Sequence, residues 1–201
     1  MGRGDHSQTQ NRIVSTAHAL FMEHGYRSVS TRRIADACGL TQPALYHHFS
    51  SKEAIYLEVL RTDLNRTKAS LNRIAVLYDD VAECLFQMTY YILVNSPENM
   101  GQMVRDIRTE MSAAFREKIN EWWHEAYRLP ITAVFEKGIR NGVIRDPGQF
   151  DASAEKYVCL LVNMISQAIP SGGESDGQDS EAVAEKRAHF IIDVLLNGLN
   201  K

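Results

Sequence analysis

The sequence predicts an all-α protein of about nine helices, with an amino-terminal three-helix unit followed by a larger helical body. Three observations carry that prediction. Apolar residues recur at helical spacing along almost the whole chain, no run alternates strictly as a half-buried strand would, and capping residues stand where helical runs begin or end.

The first helix carries Ile13, Val14, Ala17, Leu20 and Phe21 on one face and is expected to end at His24, with Gly25 suited to a left-handed cap. Two short helices follow, over 31–38 and 42–48, with Gly39-Leu40-Thr41 leaving room only for a tight turn. Ser50-Ser51-Lys52-Glu53 reads as a capping box that opens a long helix reaching about Ala75. Further helices are expected over 79–95, 97–108 and 112–141. Pro97 suits a first turn, Pro130 should kink or break the longer element, and Gly142 can cap its end. Asp146-Pro147-Gly148 marks a connection, and amphipathic helices over 149–168 and 179–199 complete the chain. Between those two, residues 170–178 are rich in Gly, Ser and acidic side chains and are expected to form a mobile loop.

Composition bounds the function. With 44% hydrophobic and 23% charged residues, the chain has enough apolar surface for a core and is expected to be soluble. No run reaches the roughly 18 apolar residues of a membrane span, and the polar amino terminus implies no signal peptide. The cysteines, Cys38, Cys84 and Cys159, are odd in number and set among apolar residues. That suits a reducing cytoplasm, with all three expected to be buried. The net charge of −3 argues against nucleic acid only until it is divided: residues 1–52 hold six Lys/Arg and three Asp/Glu, a net of +3, and the rest a net of −6. The mildly basic part is the part that can meet phosphate.

Ser30 to Glu53 carries the most specific signal. A helix-turn-helix needs two short helices crossing steeply about a tight turn, with small residues at the approach and apolar ones sealing the angle. Ile34, Cys38, Leu40 and Leu45 supply the seal, Ala35 the approach, and Gly39 the positive φ that ends the first helix. Thr41 can cap the second helix, with Pro43 in its first turn. The residues offered by that helix, Gln42, Pro43, Ala44, Tyr46, His47 and His48, are polar or compact. Gln can pair with adenine, and Ala and the Pro ring can meet a thymine methyl. Tyr46, His48 and Lys52, with Thr31 and Arg32 at the start of the first short helix, are expected on phosphates.

Residues from about Asn11 to Leu60 resemble the amino-terminal domain of the tetracycline-repressor (TetR) family of bacterial transcription regulators. The resemblance rests on Phe21-Met22-Glu23-His24-Gly25-Tyr26, Ser30-Thr31-Arg32-Arg33-Ile34-Ala35, Gly39-Leu40-Thr41, and the run from Ala44-Leu45-Tyr46-His47-His48-Phe49 to Ser50-Ser51-Lys52-Glu53. It covers about a quarter of the chain. It implies a helix-turn-helix DNA-binding domain over 1–52 and a helical effector-binding and dimerisation domain over 53–201. It also implies a cytoplasmic homodimer on a palindromic double-stranded operator, released by a small effector as the spacing of its two reading helices changes.

In the body, Phe86, Tyr91, Met103, Phe115, Trp123 and Tyr127 are candidates to line an apolar effector pocket, with packed core as the competing reading; Met88, Tyr90, Met100 and Trp122 belong to the same clusters. Tyr157, Leu161, Met164, Phe190, Ile191 and Val194 are candidates for a dimer interface on the last two helices, with burial inside one subunit as the alternative. His47 and His48 are adjacent and no ligand spacing accompanies them, so no metal or other cofactor is expected. No nucleophile elbow, phosphate loop or paired-carboxylate motif points to an enzyme. An effector-independent DNA-binding regulator is the second reading, and a helical enzyme with a basic head the third.

Overall fold

A computed structural model describes residues 3–96, 100–169 and 180–198. The expected loop over 170–178, the helix start at Pro97 and the Met100 side chain lie outside the described residues. The elements are α1 (Arg3–Ser28, broken at Gly25, beyond which a short segment leads to the next helix), α2 (Thr31–Ala37), α3 (Gln42–His48), α4 (Lys52–Leu77), α5 (Val81–Asn95), α6 (Met100–Glu110) and α7 (Ala113–Trp123). A π-helical turn (His124–Arg128), α8 (Leu129–Arg140), a 3-10 turn (Pro147–Phe150), α9 (Ala154–Ala168) and α10 (Ser180–Asn197) follow. The fold is all-α, and no strand occurs among the described residues.

The predicted disturbance at Pro130 takes a definite form. Proline has no N–H for the α-helical ladder and its ring crowds the carbonyl four residues back. The chain inserts a π turn just before it, with the Leu129 N–H donating to the His124 carbonyl, and α8 restarts with Pro130 in its first turn. The carboxy-terminal boundaries also differ from expectation. Residues 147–150 form the separate 3-10 turn, Asp151 adopts φ 53, and α9 begins only after Ser153. At the start of α4 the serine that caps is Ser51, whose Oγ accepts the Ala54 N–H at 3.0 Å. Glu53 does not close the expected capping box; its carboxylate accepts from the Ser112 N–H and hydroxyl, at 3.1 and 2.7 Å.

The chain divides into two compact units, 1–64 with 99–122, and 65–98 with 123–201. The first therefore joins α1–α3 to α6 and most of α7, a grouping that the expected head of residues 1–52 does not contain. Its core includes Ile13, Phe21, Ile34, Leu45, Tyr56 and Phe115, with Tyr56 stacked on Phe115 at 6.0 Å. The second unit packs α5 against α8, α9 and α10 around Leu85, Met88, Ile131, Phe135 and Leu161. Gly138 of α8 is required there by close approach. A Cβ at this position would stand 2.6 Å from Ile144 Cδ1 and 3.0 Å from Val81 Cγ1. Cys38 and Cys84 are buried as expected, but Cys159 is exposed, because the inward positions of α9 are Val158, Leu161 and Ile165.

Candidate nucleic-acid interface

Local sequence builds the reading element from both ends. The Ser30 hydroxyl caps α2 by accepting the Arg33 N–H at 3.1 Å, and Ile34 and Ala35 are fully buried beneath it. At the other end Gly39, with φ 65, lets the Leu40 N–H reach the Ala35 carbonyl at 2.9 Å and its own N–H reach that of Asp36 at 3.0 Å. Those paired bonds form a Schellman closure, which a left-handed residue at this position makes possible. Thr41 Oγ1 then accepts the Ala44 N–H at 3.3 Å, Pro43 lies in the first turn of α3, and Leu45 seals the angle at 0% exposure.

With its apolar side sealed, α3 turns outward Thr41, Gln42, Pro43, Tyr46 and His47, with Ala44 half-buried. The outward side chains are ordered by one another. Gln42 Nε2 donates to Thr31 Oγ1 at 3.4 Å, and that hydroxyl pairs with the Tyr46 hydroxyl at 3.2 Å. Arg32 is exposed, its Nε 4.0 Å from the Asp36 carboxylate. Arg33, absent from the candidate set, is also exposed and bonds His24 Nε2. A polar face with an ordered amide and a phenol on α3 and guanidinium groups on α2, two short helices sealed from behind, can meet base edges and phosphates in a major groove.

Two of the candidate phosphate ligands are differently placed. The His48 ring stands 4.4 Å from that of His6, and its Nδ1 is buried without a hydrogen-bond partner among the described residues. Burial, then the neighbouring His6 and His47 imidazoles, lower its pKa from the ordinary imidazole value, which favours the neutral ring. Lys52 turns inward: its Nζ donates to the Tyr26 carbonyl at 2.9 Å and the Val29 carbonyl at 3.0 Å, 3.9 Å above the Tyr26 ring centre. Burial lowers its pKa, opposed by the carboxylates of Glu110 and Asp106. No local signal announced this, because the carbonyls lie more than twenty residues back in the chain.

The body candidates divide between the units. Phe115 is 3% exposed in the core of the first unit and Met103 packs against that core. Phe86, Tyr91 and Tyr127 are half-buried around the core of the second, and Trp123 stacks on Tyr127 at 5.5 Å. Of the six residues expected at a dimer interface, Leu161 and Ile191 are buried inside the second unit, at 0% and 2% exposure, and offer no surface to a partner. Tyr157 is half-buried, its hydroxyl donating to the Arg145 carbonyl at 2.9 Å, and Met164 and Val194 are half-buried too. The large apolar residues that α9 and α10 turn outward, among the described residues, are Leu160 and Val183 with the expected Phe190, at 53, 38 and 66% exposure. The periodicity showed a stripe on each helix but not which edge of it faces out.

Comparison with known proteins agrees with this geometry. Residues 13–59 match the model of the tetR family of bacterial regulatory proteins. The HTH-type transcriptional repressor AcnR of Corynebacterium diphtheriae is 28% identical over 179 residues, 85% of each chain. The TetR family transcriptional regulator PfmR from Thermus thermophilus superposes with a TM-score of 0.71 at 27% identity, over 94% of this chain and 100% of that one. The fold is also that of FadR from Bacillus subtilis in complex with stearoyl-CoA, with a TM-score of 0.75 at 16% identity over 94% and 98% of the two chains.

Proposed function

From the premise that the chain belongs, through its amino-terminal domain, to the tetR family of bacterial regulatory proteins and is a DNA-binding transcription regulator, we propose that it represses transcription as a homodimer. The dimer binds a palindromic operator in the cytoplasm and is released by a small hydrophobic effector. The observation that carries this reading is the ordered outward face of α3, where Gln42 and Tyr46 are linked through Thr31 of α2 above the buried Leu45. Residues 1–52 do the reading in this proposal, with Gln42, Pro43 and Ala44 toward bases and Thr31, Arg32, Thr41, Tyr46 and His47 toward the backbone. Half-sites one helical turn apart, about 34–36 Å, require two such helices at matching spacing, which a second copy supplies.

The outward Leu160, Val183 and Phe190 support a homodimer through α9 and α10. The half-buried Phe86, Tyr91 and Tyr127, with Trp123 stacked on Tyr127, support an aromatic or otherwise apolar effector in the second unit. A hydrophobic effector is in keeping with the stearoyl-CoA complex of the Bacillus subtilis FadR.

The test is enrichment of duplexes from a randomised 30-base-pair pool by the full chain, with light scattering of the free protein. The expected result is a two-fold symmetric sequence and a mass of twice 22.7 kDa. A pool that stays random would overturn DNA reading, and a mass of one chain with asymmetric enriched sites would overturn the dimer. Gln42→Ala should relax preference at one base pair of each half-site by about 1–3 kcal/mol. An effector-independent regulator would hold the enriched duplex against every acyl-CoA and aromatic compound tried.

A further inference from the structure

The join between α1 and α2 is held by charges from outside it. At Gly25 the backbone leaves the helical region (φ 75, ψ 161), and the next residues carry the chain into α2. Backbone groups at such a break need new partners. The Tyr26 N–H donates to Asp106 Oδ2 at 3.1 Å, and the Tyr26 and Val29 carbonyls accept from Lys52 Nζ. Asp106, on α6, is only 3% exposed, the one charged residue in the described core. Around it, Arg27 pairs with Glu110 at 2.7 Å, and the Tyr26 ring packs on Phe21 and Tyr56, with centres 5.7 and 4.9 Å away. Burial and the nearby Asp106 carboxylate push the Tyr56 phenol pKa up, so it stays protonated at any pH the fold meets. Two of the three N–H bonds of Lys52 are committed to carbonyls and a ring covers one side of the ammonium.

We propose that Lys52 and Asp106 are positioning residues for DNA reading. They touch no DNA, and together they fix the backbone of the α1–α2 join, and with it the angle at which α2 and α3 leave α1. The proposal rests on the DNA-reading function above. Lys52 at the head of α4 would otherwise be taken for a phosphate ligand. The two roles part in their salt dependence, because only a phosphate ligand releases a counterion on binding.

The experiment measures affinity of the full chain and of K52M, K52R and D106N for the duplex enriched by the wild type, and for an unrelated duplex of equal length. Each is titrated over a range of KCl, with thermal melting in parallel. The positioning role predicts a loss of roughly tenfold or more on the enriched duplex for each variant, the scale of one charged hydrogen bond. It predicts at most about a twofold change on the unrelated duplex, whose affinity comes from phosphates alone, and a salt slope equal to that of the wild type. K52R separates the roles again: it keeps the cation for a phosphate, but a planar guanidinium does not reproduce the bonds to both carbonyls.

A slope flattened by about 0.9 per lost contact in K52M, with K52R unimpaired, would make Lys52 a phosphate ligand and overturn the proposal. So would parallel losses on both duplexes that follow the melting temperature, which mark destabilisation alone. If D106N does not fold, the Lys52 variants decide. Failure of the wild type to enrich any duplex overturns the DNA-reading function, and the positioning role with it; failure of the variants to lose affinity overturns the positioning role only.

Discussion

In the first unit, polar groups distant in sequence meet on backbone and on one another: Asp106 on Tyr26, Glu110 on Arg27, Glu53 on Ser112. In the second, the pair Lys68–Glu125 is half-buried and Lys137–Asp79 lies at the surface, and the described core is apolar except for Thr89, whose hydroxyl donates to the Leu85 carbonyl at 2.8 Å. The buried polar residue of one unit is thus a carboxylate bonded across 80 residues, and that of the other a hydroxyl satisfied within its own helix turn. Hydrogen bonds are directional and apolar packing is not. On the proposed function, a unit that presents a helix to a groove gains from angular constraint, whereas one that takes up an apolar ligand gains from surfaces that can repack.

That contrast breaks most readily in the second unit's core. Phe135→Ala should cost about 4 kcal/mol of unfolding free energy, because it removes a ring that is fully enclosed. A urea titration giving less than about 1 kcal/mol would show that apolar packing is not what holds this unit. Gly138→Ala should cost about 2 kcal/mol through overlap with Ile144 and Val81, and Ile144→Val, which deletes the nearest atom, should restore part of it. Non-additivity in that pair is the measurement. Gly39→Ala in the first unit should cost about 1 kcal/mol for a different reason: nothing lies within 4 Å of the added Cβ, so the penalty is conformational and no neighbouring substitution should relieve it. A larger loss would mean that the turn is crowded after all.

The smallest effect is on pH. His48 has a pKa depressed below its ordinary 6.5 by burial and by His6 and His47, so the folded chain binds its proton less readily than the unfolded chain. Stability should therefore fall slightly as the pH drops through about 6.5, and His48→Gln should flatten that acid-side slope. A wild-type profile that rises toward acid would reverse the sign and reject the burial argument.

The head was legible because its determinants are neighbours. Gly39, Thr41 and Pro43 act on the turn they occupy, and the periodic apolar residues around them have one consistent inward face. What escaped prediction depends on distance or on phase. The bond from Asp106 to the Tyr26 N–H spans 80 residues, and the capture of Glu53 by Ser112 spans 59. A serine pair at the start of α4 left the capping residue ambiguous by one position. On α9, adjacent leucines at 160 and 161 take opposite fates, one exposed and one buried, and composition cannot tell them apart. The π turn before Pro130 was visible as a disturbance, but its form depends on how the following helix packs.

The unequal burial of the three thiols gives the molecule a built-in counter. Cys38 and Cys84 are enclosed, and burial raises the pKa of Cys84, so neither should react while the fold holds. Cys159 stands open on α9, its Sγ 3.5 Å from the Arg128 guanidinium. A thiol reagent should therefore consume one equivalent per native chain where that face of α9 is free, fewer where a second copy shields it, and three after denaturation. Association and unfolding can then be followed in a single titration, without knowledge of the operator or the effector.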